Sequence, residues 1–126
     1  MDGREWFYDN DDELPPGTGD EAPAGALAAQ WMSVDRVYCL DWRHFTDAHW
    51  DGLDRIYRAL PGWRADLPDA ARWFAGEEGG DPYLWASVEP PGLQVAGGLT
   101  AGVWWDWDVQ FRRAVAAAGL PRAVPG

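Results

Sequence analysis

The chain has 126 residues, enough for one domain with a substantial core. It carries 21 acids against 10 bases, for a net charge of −11. That balance argues against a nucleic-acid-binding surface and against docking on an anionic membrane. It is compatible with a basic protein partner, drawn in by long-range attraction. Ten tryptophans are more than a small core needs, so two or three of these rings are expected at the surface. Cys39 is the only cysteine, which rules out an internal disulfide. The start, Met1 to Trp6, lacks the basic and apolar regions of a secretory signal, and no apolar run is long enough to span a membrane. The expectation is a cytoplasmic protein.

Residues 1–30 hold eight acids and one base, Arg4. Leu14 to Pro23 is rich in proline and glycine and has little to bury, so 1–30 reads as an acidic, partly disordered segment before a single domain at 31–126. Within it, Trp6-Phe7-Tyr8 is an aromatic cluster, expected to pack back on the domain as an extra strand. Residues 24–32 read as a short helix. Asp35 to Trp42 alternates as a strand, with Tyr38, Leu40 and Trp42 on the core side and Val37, Cys39 and Asp41 opposite.

Thr46 opens a helix whose apolar stripe is Trp50, Leu53, Ile56, Tyr57 and Leu60, and Pro61-Gly62 ends it. Arg72 to Ala75 is a short strand. Tyr83–Glu89 and Leu93–Leu99 are two alternating runs joined by Pro90-Pro91-Gly92, the pattern of a hairpin. Leu84, Ala86, Val88, Leu93, Val95 and Leu99 share its apolar face. Tyr83, Trp85, Ser87 and Glu89 share the other, across from Gln94, Ala96 and Gly98.

The last element, 100–119, is an amphipathic helix. Val103, Trp104, Trp107, Phe111, Ala114, Val115 and Ala118 fall on one face, Thr100 stands at the N-cap, and Gly119 with Pro121 ends it. Together the elements predict an α+β two-layer sandwich: a mostly antiparallel sheet of three to four strands with two main helices, in the order β-α-β-β-β-α. A double-stranded-RNA-binding domain shares the α-β-β-β-α order, but the basic phosphate contacts of that module are missing here.

The catalytic inventory is thin. Asp41 to Asp51 gathers two histidines and three aspartates, but His44 and His49 are five apart and lack the i,i+4 spacing of a helical metal pair. Asp47 suits a helix N-terminus instead. Asp106 and Asp108 flank Trp107, yet on a helix they point about 200° apart and cannot share a sugar. Asp108 is expected to pair with Arg112 on the wet side. No phosphate loop, Cys-Xaa-Xaa-Cys pair or nucleophile elbow occurs, so no catalytic residue, metal ligand or cofactor is assigned.

What is left is surface. Trp105 and Val109 lie outside the buried helix face, beside Asp106, Asp108, Arg112 and Arg113. Aromatic rings bordered by charge are what interface hot spots look like. The expected partner-binding residues are Trp105, Asp106, Asp108, Tyr83 and Trp85, with Asp11, Asp12 and Glu13 steering. The expected function is a non-enzymatic acidic module that binds a basic protein. Small acidic α+β proteins of this kind look like the immunity or inhibitor proteins that neutralise basic toxins and nucleases. The alternative is a small-ligand or carbohydrate-binding domain that uses exposed tryptophan faces.

Overall fold

Strands Phe7–Asp9 (β1), Trp31–Tyr38 (β2), Ala71–Phe74 (β3), Tyr83–Glu89 (β4) and Gly92–Thr100 (β5) form one antiparallel sheet. Their spatial order is β1-β2-β5-β4-β3. Helices Asp47–Ala59 (α1) and Ala101–Ala118 (α2) complete an α+β fold of order β-β-α-β-β-β-α. The computed structural model describes residues 6–10, 24–65, 71–74 and 82–123. Leu53 and Ile56 of α1, Trp104, Trp107, Phe111 and Val115 of α2, and Val34, Tyr38, Trp73, Leu84, Leu93, Val95 and Leu99 of the sheet form a single core cluster. In the pleat those strand residues fall on one sheet face, so the helices cover that face.

The β4–β5 hairpin turns on Pro90-Pro91, with Glu89 opposite Gly92. Gly92 therefore belongs to the strand. A side chain there would run into the Tyr38 carbonyl of the next strand, which explains why glycine stands at that position. The predicted faces of this hairpin are observed, with one exception: Leu84, Leu93, Val95 and Leu99 join the core, Ala86 packs against it, Val88 near the turn is exposed, and Tyr83 and Trp85 lie across from Gly98 and Ala96.

Three elements differ from their sequence reading. Residues 25–29 turn rather than form a helix. β2 begins at Trp31 instead of Asp35 and ends at Tyr38, because β5 offers a continuous ladder from Thr100, opposite Trp31, to Leu93, opposite Tyr38. Pairing along the whole of β5 outweighs the weak helical preference of an alanine-rich segment interrupted by Gly25. Trp42, read as the end of that strand, lies instead in a 3-10 turn, Trp42–His44, whose N-cap Asp41 accepts from the Arg43 backbone N–H. The extra strand expected of the N-terminal aromatic cluster is present and brings the sheet to five strands. Phe7 pairs with Tyr38, Tyr8 with Val37 and Asp9 with Arg36, so the aromatic part of the first thirty residues belongs to the same sheet as the domain.

α1 starts at a capping box. Thr46 Oγ1 accepts from the His49 N–H, and His49 Nδ1 accepts from the Thr46 N–H at 3.0 Å, a histidine in the place usually held by glutamate. α2 ends at Gly119, whose φ of 66° lets the chain reverse while the Leu120 N–H reaches the Val115 carbonyl. Its buried side is rotated relative to the predicted stripe. Trp104, Trp107, Phe111 and Val115 are buried as expected, but Val103 and Ala118 are exposed, and Asp108 and Val109 are buried in their place.

Candidate functional site

The rotation of α2 has an electrostatic cause. β2 alternates Val34, Arg36 and Tyr38 toward the helices, so an arginine stands on the core face and is only 1% exposed. A buried guanidinium needs matched carboxylates. Asp9 of β1 receives Nε at 2.7 Å and Nη2 at 3.1 Å, and Asp108 of α2 receives Nη1 at 3.0 Å. The Tyr38 hydroxyl donates to the same Asp108 oxygen at 2.6 Å, and Arg112 donates to the other at 2.9 Å. Phe7 lies between the two guanidinium groups, 4.3 Å from Arg36 and 5.2 Å from Arg112. Two acids thus meet two bases, and β1, β2 and α2 are tied at one point.

Burial disfavours the Arg36 charge, but the hydrogen bonds it donates to Asp9 and the negative charges around it more than offset this and hold its pKa above the ordinary arginine value. Burial, and then the charge of Asp108, push the Tyr38 hydroxyl well above the usual tyrosine value.

This network corrects one predicted contact residue. Asp108 pairs with Arg112 as the i,i+4 spacing implied, but it is 3% exposed rather than on the wet side, because Arg36 and Tyr38 approach it from the sheet. It holds the fold together and is closed to a partner. Asp106 is exposed and accepts from Gln110 Nε2 at 3.0 Å. Asp11, Asp12 and Glu13 lie outside the described residues.

The other predicted contact residues fall on two separate surfaces. The first is the sheet face away from the helices. The register places Asp35, Ala96, Trp85 and Arg72 in one cross-strand row, and Ser33, Gly98, Tyr83 and Phe74 in the next. Trp31 stands at the β2 end of the same face and is 44% exposed. Its ring and that of Tyr83 close over Gly98: a Cβ at that glycine would lie 3.0 Å from Trp31 Cζ2 and 3.3 Å from Tyr83 Cε1. Trp31, Tyr83 and Trp85 all lie outside the core cluster. Sequence reading missed Trp31 by placing it in a helix, although its two-residue spacing from Ser33, Asp35 and Val37 is the signal of a shared strand face.

The second surface is a groove of about 310 Å³ along the outside of α2, at the small end of the range for ligand pockets. Trp105, Val109, Arg112, Arg113 and Ala116 form its helical wall, and Trp6 and Arg122 form the other. The helical residues recur at i, i+4, i+7, i+8 and i+11, one stripe of the helix. Trp6 and Arg122 come from opposite ends of the chain, so no local pattern could have added them. Arg122 lies over the Trp6 ring at 5.5 Å.

The histidine-rich stretch performs local structural tasks. His44 Nδ1 meets Asp41 Oδ2 at 2.6 Å, and His49 caps α1. Trp42, Phe45 and Trp50 pack beside them, with Trp42 stacked on Trp50 at 5.1 Å. Among the described residues no cluster of three histidine, cysteine or carboxylate side chains could hold a metal ion. Among them, too, no helix is long and apolar enough to cross a membrane. No family model matches the chain, no curated protein matches it in sequence, and no solved structure matches its fold.

Proposed function

We propose that this protein is a non-enzymatic module that binds a basic protein, as an inhibitor or immunity-type protein does, and that the open sheet face is its contact surface. The observation that carries the reading is the grouping of Trp31, Tyr83 and Trp85 outside the core, around the small residues Ala96 and Gly98. Large rings at the border of a strand face give a partner side chain a flat apolar surface to pack on. The acid excess supports the sign of the partner.

The test is a pull-down with the whole chain, repeated with Trp85→Ala and in raised salt. It should return a basic protein. Loss of a central ring should weaken the complex by about 30-fold, the equivalent of roughly 2 kcal/mol at a hot spot. Retention of an acidic partner, or capture unaffected by Trp85→Ala, would remove this reading.

A second reading, carbohydrate binding, is favoured by the paired Trp31 and Tyr83 rings over Gly98, since sugars lie flat on such platforms. Titration of the intrinsic tryptophan fluorescence with a panel of mono- and oligosaccharides separates the two.

A further inference from the structure

We propose that the groove along α2 is a binding site for a small aryl anion, a planar ring bearing a carboxylate or phosphate. It is a different surface from the sheet face, and three arginines line it.

The charge argument starts from the buried network. Arg112 lines the groove, but its guanidinium is matched by Asp108, within a set of two acids and two bases. Arg113 and Arg122 are different. Among the described residues neither has a carboxylate within ion-pair distance; the Arg122 backbone bridges to Leu40, and its guanidinium lies over the face of Trp6. Two positive groups that nothing described neutralises therefore stand at the rim of one cavity. Guanidinium groups are suited to planar, bidentate recognition of carboxylate and phosphate.

The walls supply the second half of the chemistry. Trp6 and Trp105 line the cavity together with apolar Val109 and the small Ala116. A planar ring fits beside the indoles while its anionic group meets Arg113 and Arg122. An aliphatic or neutral ligand would satisfy only one of these two features. The same geometry disfavours a basic side chain, so this groove is not where the basic partner proposed above would dock.

Benzoate, phenyl phosphate and the neutral benzyl alcohol are the probes, titrated into the whole chain and followed by the indole N–H resonances of Trp6 and Trp105. Both anions should shift these two resonances saturably, the tighter one fixing the preferred headgroup, and benzyl alcohol should bind at least about tenfold more weakly. Arg113→Gln and Arg122→Gln should each weaken the anions by about 3- to 10-fold, as for partly exposed charge contacts. Arg58→Gln, on the other helix, should change nothing. Equal binding of benzyl alcohol overturns the proposal. So do shifts confined to Trp31 and Trp85, or unchanged affinity in both arginine variants when their spectra are those of a folded chain.

Discussion

Asp108→Asn isolates the buried charge network with the smallest change of shape. The amide oxygen still accepts from the Tyr38 hydroxyl, which lies 2.6 Å from Oδ1 in the native protein. What disappears is the negative charge that meets Arg36 at 3.0 Å and Arg112 at 2.9 Å. Breaking a buried ion pair from one side costs about 3–5 kcal/mol. Here Arg36 keeps both of its bonds to Asp9, and Arg112 reaches solvent, with about a quarter of its side chain exposed. The expected loss is therefore smaller, about 2–3 kcal/mol.

For a chain of this length that is a fall in Tm of roughly 6–12 °C, with a matching drop in the urea midpoint at unchanged slope. The control is Asp54→Asn. Its partner Arg58 lies 2.9 Å away, but both side chains are more than half exposed, so the expected loss is at most about 0.5 kcal/mol. If the two variants unfold together, the Asp108 network does not hold β1, β2 and α2, and the placement of α2 argued from it is wrong. Tyr38→Phe sharpens the measurement. It removes a buried hydrogen bond at about 1–2 kcal/mol and should combine non-additively with Asp108→Asn, since both act on the same carboxylate oxygen.

Other outcomes follow from the same structure. Tyr38 has its pKa raised by burial and then by Asp108, and burial likewise raises Tyr57. Above about pH 10 the unfolded chain releases those protons first, so stability is intact below that pH and falls above it. Tyr38→Phe should flatten the decline in an alkaline unfolding series. Cys39 is 4% exposed and burial raises its thiol pKa, so a thiol reagent should label it slowly in native protein and fast in urea. Thr46→Ala removes the α1 cap and should cost about 1 kcal/mol by urea unfolding, without altering binding of benzoate in the α2 groove.

The long, strongly periodic elements were legible. The hairpin at 83–99 and the helix at 101–118 repeat their pattern over enough residues that one reading dominates. β1 was legible as an aromatic cluster expected to pack back as an extra strand, but not its position or register, because its three residues gain their conformation from Val37 and its neighbours on a strand roughly thirty residues away. Arg36 was not legible as a core residue. Alternation puts it between Val34 and Tyr38, but a buried arginine makes sense only once Asp9 and Asp108, distant in sequence on either side, are known to converge on it. Asp108 shows the same limit. The i,i+4 spacing identified Arg112 as its partner, while its depth depends on Tyr38, 70 positions earlier. Spacing along a helix fixes neighbours on that helix, and burial is decided by what the rest of the chain places against it.

The charge distribution bears differently on the two parts of the proposed binding, attraction and retention. Nine acids and nine arginines fall among the described residues, so the entire net charge of −11 belongs to residues outside them, including Asp11, Asp12 and Glu13. The described residues are electrically balanced, and their charges are unevenly placed. Attraction of a basic partner would then originate in those acidic segments and act on the rate of encounter, where salt screens it. Retention would rest on the rings of the sheet face, whose loss acts on the rate of departure. The arginine-lined groove on α2 lies outside both tasks. The proposed aryl anion would give the two arginines there that lack a described carboxylate partner a ligand of matching charge, beside two tryptophans.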